Sequence, residues 1–301
     1  MRVVYACDDN YAAMTAVSVV SLLKHTPTAE IILVGCRLKP ESIETIRSRV
    51  EKSGGVFRYV DVSDKIRELQ ALGVSSYVSY AVYSRIFIGD LLPDLSGKVL
   101  YLDCDTLVVG PIVELFDTDL GGNPIALAPD VVNPAYWRVI SLPEGKPYYN
   151  TGVALIDLDE WRKRRCTERL MDEIRSPHGR NPLGDQDVIV RVLNGEIAGL
   201  DRRWNFLSQY ILLRRKEVPV IYHFSGNTLG RPWFTSSRHP MRKAYRLAAI
   251  EAGLPEMADQ EKPLPFEYRL QYWLYKILPK FLFLPVFRLM SRLHIRMTYG
   301  V

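Results

Sequence analysis

Apolar and polar positions in the first sixty residues alternate in blocks, as parallel β–α units require. An apolar run at Val3–Ala6 precedes a helical stretch from Tyr11 to Lys24. A second run, Ile31–Val34, leads to a charged helix around Glu41–Lys52, and Gly54-Gly55 punctuates before a third run, Val56–Val60. Strands separated by helices imply a mostly parallel sheet covered on both faces. Later runs predict strands at Val99–Leu102, Ile125–Ala128, Val153–Ile156 and Val218–His223, with helices at Tyr77–Leu91, Glu160–Arg175 and Asp187–Leu193. The last helix rests on its acidic start, because Val188–Leu193 alternates too briefly to decide. No internal repeat or low-complexity linker interrupts the chain. Pro263 and Pro265 mark the one change in composition, between a body of residues 1–265 and an aromatic, basic tail of residues 266–301. In sheets of this class ligands bind beyond the carboxyl ends of the strands, so the polar residues that follow strands are the candidates for chemistry.

Composition adds bounds. Of 301 residues, 48% are hydrophobic and 24% charged, ordinary values for a globular protein with a real core. The chain starts directly on a strand-like run, which predicts no cleaved leader, and no stretch reaches the roughly 18 apolar residues of a spanning helix. Cys7, Cys36, Cys104 and Cys166 are scattered without C-x-x-C spacing and read as reduced, packed residues of a cytosolic protein. The net charge of +5 is unevenly placed. Arg269, Lys276, Lys280, Arg288, Arg292 and Arg296 face a single acid, Glu267, so the tail carries the whole excess. A neutral body offers no extended phosphate-binding face, which argues against nucleic acid as a partner.

Five segments carry candidate chemistry. The chain has four D-x-D pairs, at Asp103/Asp105, Asp117/Asp119, Asp157/Asp159 and Asp185/Asp187. Only the first follows a run that should be a buried strand, Val99-Leu-Tyr-Leu102. Alternate residues on an extended backbone face the same way, so Asp103 and Asp105 can reach one hard cation, Mn²⁺ or Mg²⁺. A solvated turn after a strand is the other reading of the spacing. Asp8-Asp9-Asn10 follows the first strand where a nucleotide's base and ribose would lie, and Asp9 or Asn10 equally reads as a helix N-cap. Neither a G-x-G-x-x-G fingerprint nor a Walker A lysine is present. In the third segment, Val220 to Trp233, His223 ends a strand, Gly226 and Gly230 permit a tight loop, and Arg231 supplies a cation, a set that suits a metal-bound diphosphate. Tyr149-Asn-Thr-Gly152 precedes a strand. Asp185-Gln-Asp187 opens a helix, either for dipole reasons or to ring a sugar's hydroxyls.

Taken in order, these pieces resemble glycosyltransferase family 8, the retaining, metal-dependent enzymes that include bacterial lipooligosaccharide galactosyl- and glucosyltransferases. The matching stretches are Ala6-Cys-Asp-Asp-Asn-Tyr11, Val82-Tyr-Ser-Arg85, Val99 to Asp105, Phe116 to Asn123, Tyr149-Asn-Thr-Gly152, Asp185-Gln-Asp187 and His223-Phe-Ser-Gly226. The resemblance implies a GT-A fold, a Rossmann-like nucleotide half and an acceptor half on one continuous sheet, here followed by a C-terminal helical tail. It also implies a UDP-hexose donor, a glycan acceptor and Mn²⁺, with His223 as the third protein ligand beside Asp103 and Asp105. By position, Asp8 and Asn10 would contact uridine near the Ala6 backbone. Arg85, Asp103, Asn150, Asp185 and Gln186 would surround the donor sugar, with Cys104, Thr151 and Gly226 alongside. Asp130 falls at an acceptor contact. The family usually places a lysine where this chain has Arg231, in a loop about two residues longer, and a planar guanidinium grips diphosphate differently from a point-charge ammonium.

Transfer requires stabilising UDP as it leaves, a task for fixed charges. Retention then favours front-face attack, with Gln186 positioning the reacting centre because a neutral amide is a poor nucleophile. Asp187 is the reserve candidate for a covalent role. Two rival classes are a metal-dependent nucleotide-sugar phosphohydrolase and an idle nucleotide-sugar-binding protein. In the tail, Arg288, Arg292 and Arg296 recur along one side of a helix, with Phe287, Leu289, Met290 and Leu293 as apolar surface and with Pro279 and Pro285 as breaks. That composition predicts a peripheral cytoplasmic protein whose tail lies on an anionic membrane surface; the competing reading is a helix packed on the body with a solvated basic face.

Overall fold

The computed structural model describes residues 1–72, 79–176, 181–226 and 228–300. Among the described residues, ten strands form two sheets. The seven-stranded sheet contains β1 (Arg2–Cys7), β2 (Glu30–Gly35), β3 (Val56–Asp61), β4 (Lys98–Leu102), β6 (Ile125–Pro129), β7 (Tyr149–Asp157) and β8 (Ile197–Gly199), ordered β3-β2-β1-β4-β7-β6-β8. Only β7 runs antiparallel to its neighbours. A small sheet of β5 (Thr106–Val108), β10 (Ile221–His223) and β9 (Phe206–Leu207) stands beside it. The sequence therefore foresaw the mostly parallel sheet but not the second one.

The apolar runs are continuous because both faces are covered. Val4, Ala6, Ile32, Val34, Tyr101, Leu127 and Ile156 pack on one side with Tyr83, Ile86, Phe87, Trp161 and Ile189. Val3, Tyr5, Ile31, Leu33, Leu100, Leu102, Val153 and Leu155 pack on the other with Ala16, Val19, Leu22, Ile46 and Val50. Alternate strand residues thus serve two cores.

Several boundaries differ from expectation. Within the predicted helix Tyr77–Leu91, residues 77 and 78 lie outside the described residues. The rest is a 3-10 helix, Tyr80–Phe87, started by Ser79, whose hydroxyl accepts from the Ala81 N–H, followed by one turn at Ile88–Leu91. The predicted helix Glu160–Arg175 is two helices, Leu158–Lys163 and Cys166–Arg175, broken where Arg165 adopts φ 52°. Arg162 donates to the carbonyls of Gly89, Leu92 and Leu95, anchoring the first helix while the second turns Leu170 inward. Only Ile221–His223 pairs in the predicted strand Val218–His223; Val218 is exposed. Residues Asp185–Val192 are helical, as the acidic start suggested.

The tail forms helices Phe266–Ile277 and Lys280–Tyr299. Pro285 does not break the second, which continues through it; proline at the sixth residue sacrifices one backbone hydrogen bond near the start. The body grips this tail. Arg214 Nη2 donates to the carbonyls of Tyr275 and Leu278 at 2.8 Å each, and Phe283 is buried against Leu212 and Leu229. Phe266, Trp273, Ile277, Phe281, Leu289, Leu293 and Met297 face outward. Among the described residues no helix is long and apolar enough to cross a membrane.

Candidate active site

A cleft of about 380 Å³ opens beyond the ends of β1, β4 and β7. On one side it is built of charge. Asp103 leaves the end of β4 and Asp105 enters β5, while His223 ends β10 opposite Thr106. His223 Nε2 lies 3.1 Å from Asp105 Oδ1 and 3.7 Å from Asp103 Oδ2. One ligand atom from each of the three residues falls within 4.8 Å of the others. His223 Nδ1 stands 3.0 Å from Asn205 Oδ1, which fixes the ring and leaves Nε2 toward the carboxylates. Burial alone would lower the imidazole's pKa, but Asp105 and Asp103 override it and raise it. The backbone is shaped for this packing. A Cβ on Gly152 would stand 2.2 Å from His223 Cε1 and 2.6 Å from Asp103 Oδ2, so only glycine fits. Two carboxylates and an imidazole suit a borderline-hard divalent cation such as Mn²⁺.

Two arginines balance the carboxylates. Arg85 is almost fully buried; its Nη2 donates to Asp103 Oδ1 at 2.8 Å, its Nη1 to the Thr151 carbonyl at 2.5 Å, and its Nε lies 2.8 Å from Asp185 Oδ2. Asp185 has no exposure to speak of, and burial pushes its carboxyl up to about 7 despite Arg85, with Asp103 adding to the rise. Arg231 Nη1 donates to Asp105 Oδ2 at 2.5 Å.

The other side is built of amides and phenols. Gln186 Nε2 donates to Asp130 Oδ2 at 3.0 Å and to the Tyr148 hydroxyl at 3.1 Å. Its Oε1 accepts from Asn150 Nδ2 at 3.1 Å and from the Thr151 N–H at 3.3 Å. Asn150 also donates to Asp130 Oδ2 at 3.1 Å. The β6–β7 register shifts between Leu127 and Ala128, which pairs Ala128 with Asn150 and aims Asp130 at this cluster. Asp187 behaves differently. It is fully buried, is not part of the cleft lining, and its oxygens accept from Tyr136, from Tyr148 at 2.5 Å and from the Leu183 N–H at 2.8 Å. Its oxygens are thus taken up by donors on the side away from the cleft.

Most residues singled out from sequence thus meet in one place: Ala6, Arg85, Asp103, Cys104, Asp105, Asp130, Asn150, Thr151, Asp185, Gln186, His223, Gly226 and Arg231 all line the cleft. Asp8 and Asn10 do not. Asp8 Oδ1 accepts from the Asn10 N–H and its Oδ2 from Ser79, so it ties two loops together beneath the cleft wall. Neither Asp9 nor Asn10 caps the first helix, whose N-cap is Tyr11; Asp9 instead accepts from the N–H of Lys39, the N-cap of helix Pro40–Lys52. Tyr11, Ser79, Gln209 and Ser225 line the cleft and went unremarked as site residues. Tyr11 and Ser225 sit inside motifs already quoted, but an uncharged ring or hydroxyl there carries no distinguishing signal.

The profile of "Glycosyl transferase family 8" matches residues 2–236. The chain belongs to this glycosyltransferase family. Its relatives include General stress protein A of Bacillus subtilis, 29% identical over 81% of this chain and 91% of that protein. A probable galacturonosyltransferase-like protein of Arabidopsis thaliana is 30% identical over 80% of this chain and 72% of its own length. Among solved structures, the galactosyltransferase LgtC in complex with donor and acceptor sugar analogues superposes with a TM-score of 0.72 at 24% identity, covering 89% of this chain and 99% of that one. The fold is therefore GT-A, and glycosyl transfer is selected over the phosphohydrolase reading.

Proposed function

We propose that this glycosyltransferase is a retaining hexosyltransferase that moves galactose or glucose from a UDP-sugar to a glycan acceptor, lipopolysaccharide, lipooligosaccharide or another cell-surface glycan. The observation that carries this reading is the meeting, in one cleft, of the Asp103–Asp105–His223 set with the Arg85–Asp185–Gln186–Asn150 cluster. Asp103, Asp105 and His223 would hold Mn²⁺, or Mg²⁺ in its place, which when bound supplies positive charge against the diphosphate leaving group. Arg231, held beside the same carboxylates by Asp105, would add a guanidinium where negative charge develops on the phosphates. Arg85 holds Asp103 and Asp185 apart and fixed, so both carboxylates present acceptor oxygens to sugar hydroxyls. Gln186 places its amide beside the reacting carbon, and Asp130 accepts from an acceptor hydroxyl at the far wall. Front-face attack fits this layout better than double displacement, because Asp187 is turned away from the cleft.

A panel of UDP-sugars with Mn²⁺, followed by UDP release with and without glycan acceptors, tests the assignment. UDP-galactose or UDP-glucose should support acceptor-dependent release with an α-linked product by proton NMR. Acceptor-independent hydrolysis alone would revive the phosphohydrolase, and no turnover with any donor would favour an idle binding protein.

The tail supports a peripheral site of action, on the cytoplasmic face of a membrane. Its outward face joins Trp273, Ile277, Phe281, Leu289 and Leu293 to Arg269, Lys280, Arg288, Arg292 and Arg296, for which no ion pair exists among the described residues. Apolar side chains beside unpaired cations suit an anionic headgroup layer. Flotation with anionic vesicles should be lost on joint substitution Arg288→Glu, Arg292→Glu and Arg296→Glu; equal flotation of both proteins would contradict membrane attachment.

A further inference from the structure

The outermost helix of the molecule reaches the cleft through a short series of packed groups. Ile295, in helix Lys280–Tyr299, is buried with Tyr136, Val139, Tyr148 and Val190. The Tyr299 ring meets Tyr136 edge-on, centroids 6.0 Å apart, and Tyr136 meets Tyr148 in the same manner at 5.7 Å. Both inner phenols donate to Asp187, Tyr136 at 3.0 Å and Tyr148 at 2.5 Å. The Tyr148 hydroxyl in turn accepts from Gln186 Nε2 at 3.1 Å. The same helix braces the segment that carries Tyr136, since Asn133 Nδ2 donates to the Arg288 carbonyl at 3.1 Å.

Each member of this series has few alternatives. Asp187 is fully buried, so its carboxylate depends on the two phenols and the Leu183 N–H for the hydrogen bonds that water would otherwise supply. A phenol can serve it only while its ring is held in place. On the side away from the cleft, the tail supplies Ile295 and Tyr299 as packing against those rings. Truncating either side chain opens space into which the rings can relax. Gln186 would then lose the Tyr148 contact, one of the two that orient its Nε2.

We propose that helix Lys280–Tyr299 is part of the catalytic architecture, with Ile295 and Tyr299 as positioning residues that hold Tyr136 and Tyr148 on Asp187 and thereby fix the Gln186 amide. This rests on the role given above to Gln186, and it makes the tail more than a surface attachment. A positioning fault remote from the reacting atoms lowers the rate of the chemical step while leaving nucleotide affinity intact.

The test uses the full-length chain with Ile295→Ala, Tyr299→Ala and Tyr299→Phe. Three quantities are measured: kcat for acceptor-dependent transfer, UDP affinity by calorimetry, and amide hydrogen exchange. Both alanine variants should lower kcat about threefold, less than removal of the Gln186 amide itself, keep UDP affinity, and speed exchange at Leu183 and across Asp185–Val192 while β1 and β4 stay protected. Tyr299→Phe, which retains the ring, should restore most of kcat and of the protection. Unchanged kcat and exchange in both alanine variants would overturn the proposal, as would loss of protection throughout the sheet, which means general destabilisation. If Gln186→Ala itself leaves kcat unchanged, the role of Gln186 falls, and the exchange data still decide whether the tail fixes this helix.

Discussion

The two walls of the cleft are made from different chemistry. Around Asp103 the wall is ionic: three carboxylates, an imidazole and two guanidiniums in direct contact. Around Gln186 it is a hydrogen-bonded array of amides, phenols and two carboxylates, Asp130 and the buried Asp187. The difference matches two tasks. A diphosphate carries formal charge and is best met by fixed opposite charge, which is strong and long-ranged in a dry site. A sugar and its acceptor carry hydroxyls, which need directional donors and acceptors at short range.

That contrast ranks the effects of substitution. Removing a charge or a metal ligand from the ionic wall should cost most: Asp103→Asn or His223→Ala is expected to cut turnover at least roughly a hundredfold. Wild-type turnover in either variant would remove the ionic wall from the reaction. Gln186→Ala, on the hydrogen-bonded wall, should reduce kcat about tenfold while UDP affinity stays near wild type. An equal loss in both quantities would instead place Gln186 on the nucleotide. Arg231→Lys keeps the charge but loses planar geometry, and UDP affinity should fall about fivefold, the worth of one hydrogen bond.

The hydrogen-bonded wall also contains one pH-sensitive element of fold stability. Burial pushes the Asp187 carboxyl up to about 6, even against donation from Tyr148, the Leu183 N–H and Tyr136. Its folded value thus lies above the roughly 3.9 of an unfolded chain. Asp187 therefore favours the folded state most below about pH 4, and that contribution is lost as pH rises through about 6. Across this window wild type should lose about 3 kcal/mol relative to Asp187→Asn in paired denaturation curves. Parallel curves would show that Asp187 titrates as it does in the unfolded chain.

The same contrast explains what could be read from the sequence. In the ionic wall Asp103 and Asp105 were legible because they follow the apolar run of β4. Residues 104 and 105 turn between β4 and β5, however, so the two carboxylates meet across a turn and not along the extended backbone that period-two geometry assumed. His223 and Arg231 needed the order of motifs, since a lone histidine after a strand has many uses. The hydrogen-bonded wall was only half visible. Gln186 and Asn150 stood out in their motifs, whereas Tyr136 and Tyr148 lie 51 and 39 residues from Asp187 and carry no periodic mark. Asp187 shows the limit most plainly: as a carboxylate beside a sugar-binding motif it suggested a nucleophile, and its helix turns it into the core. Tail composition pointed to an amphipathic segment, yet which apolar residues face inward depended on Leu212, Leu229 and Tyr136 far away in sequence.

The most direct test of the ionic wall's purpose is calorimetric titration of UDP into the protein with Mn²⁺ and again with EDTA. Because Asp103, Asp105 and His223 converge beside the Arg231 guanidinium, UDP should bind far more tightly with Mn²⁺, and His223→Ala should abolish the difference. Equal UDP affinity in Mn²⁺ and EDTA would contradict the account, leaving the three side chains a structural cluster and the assignment of a metal-assisted UDP-sugar transferase without support.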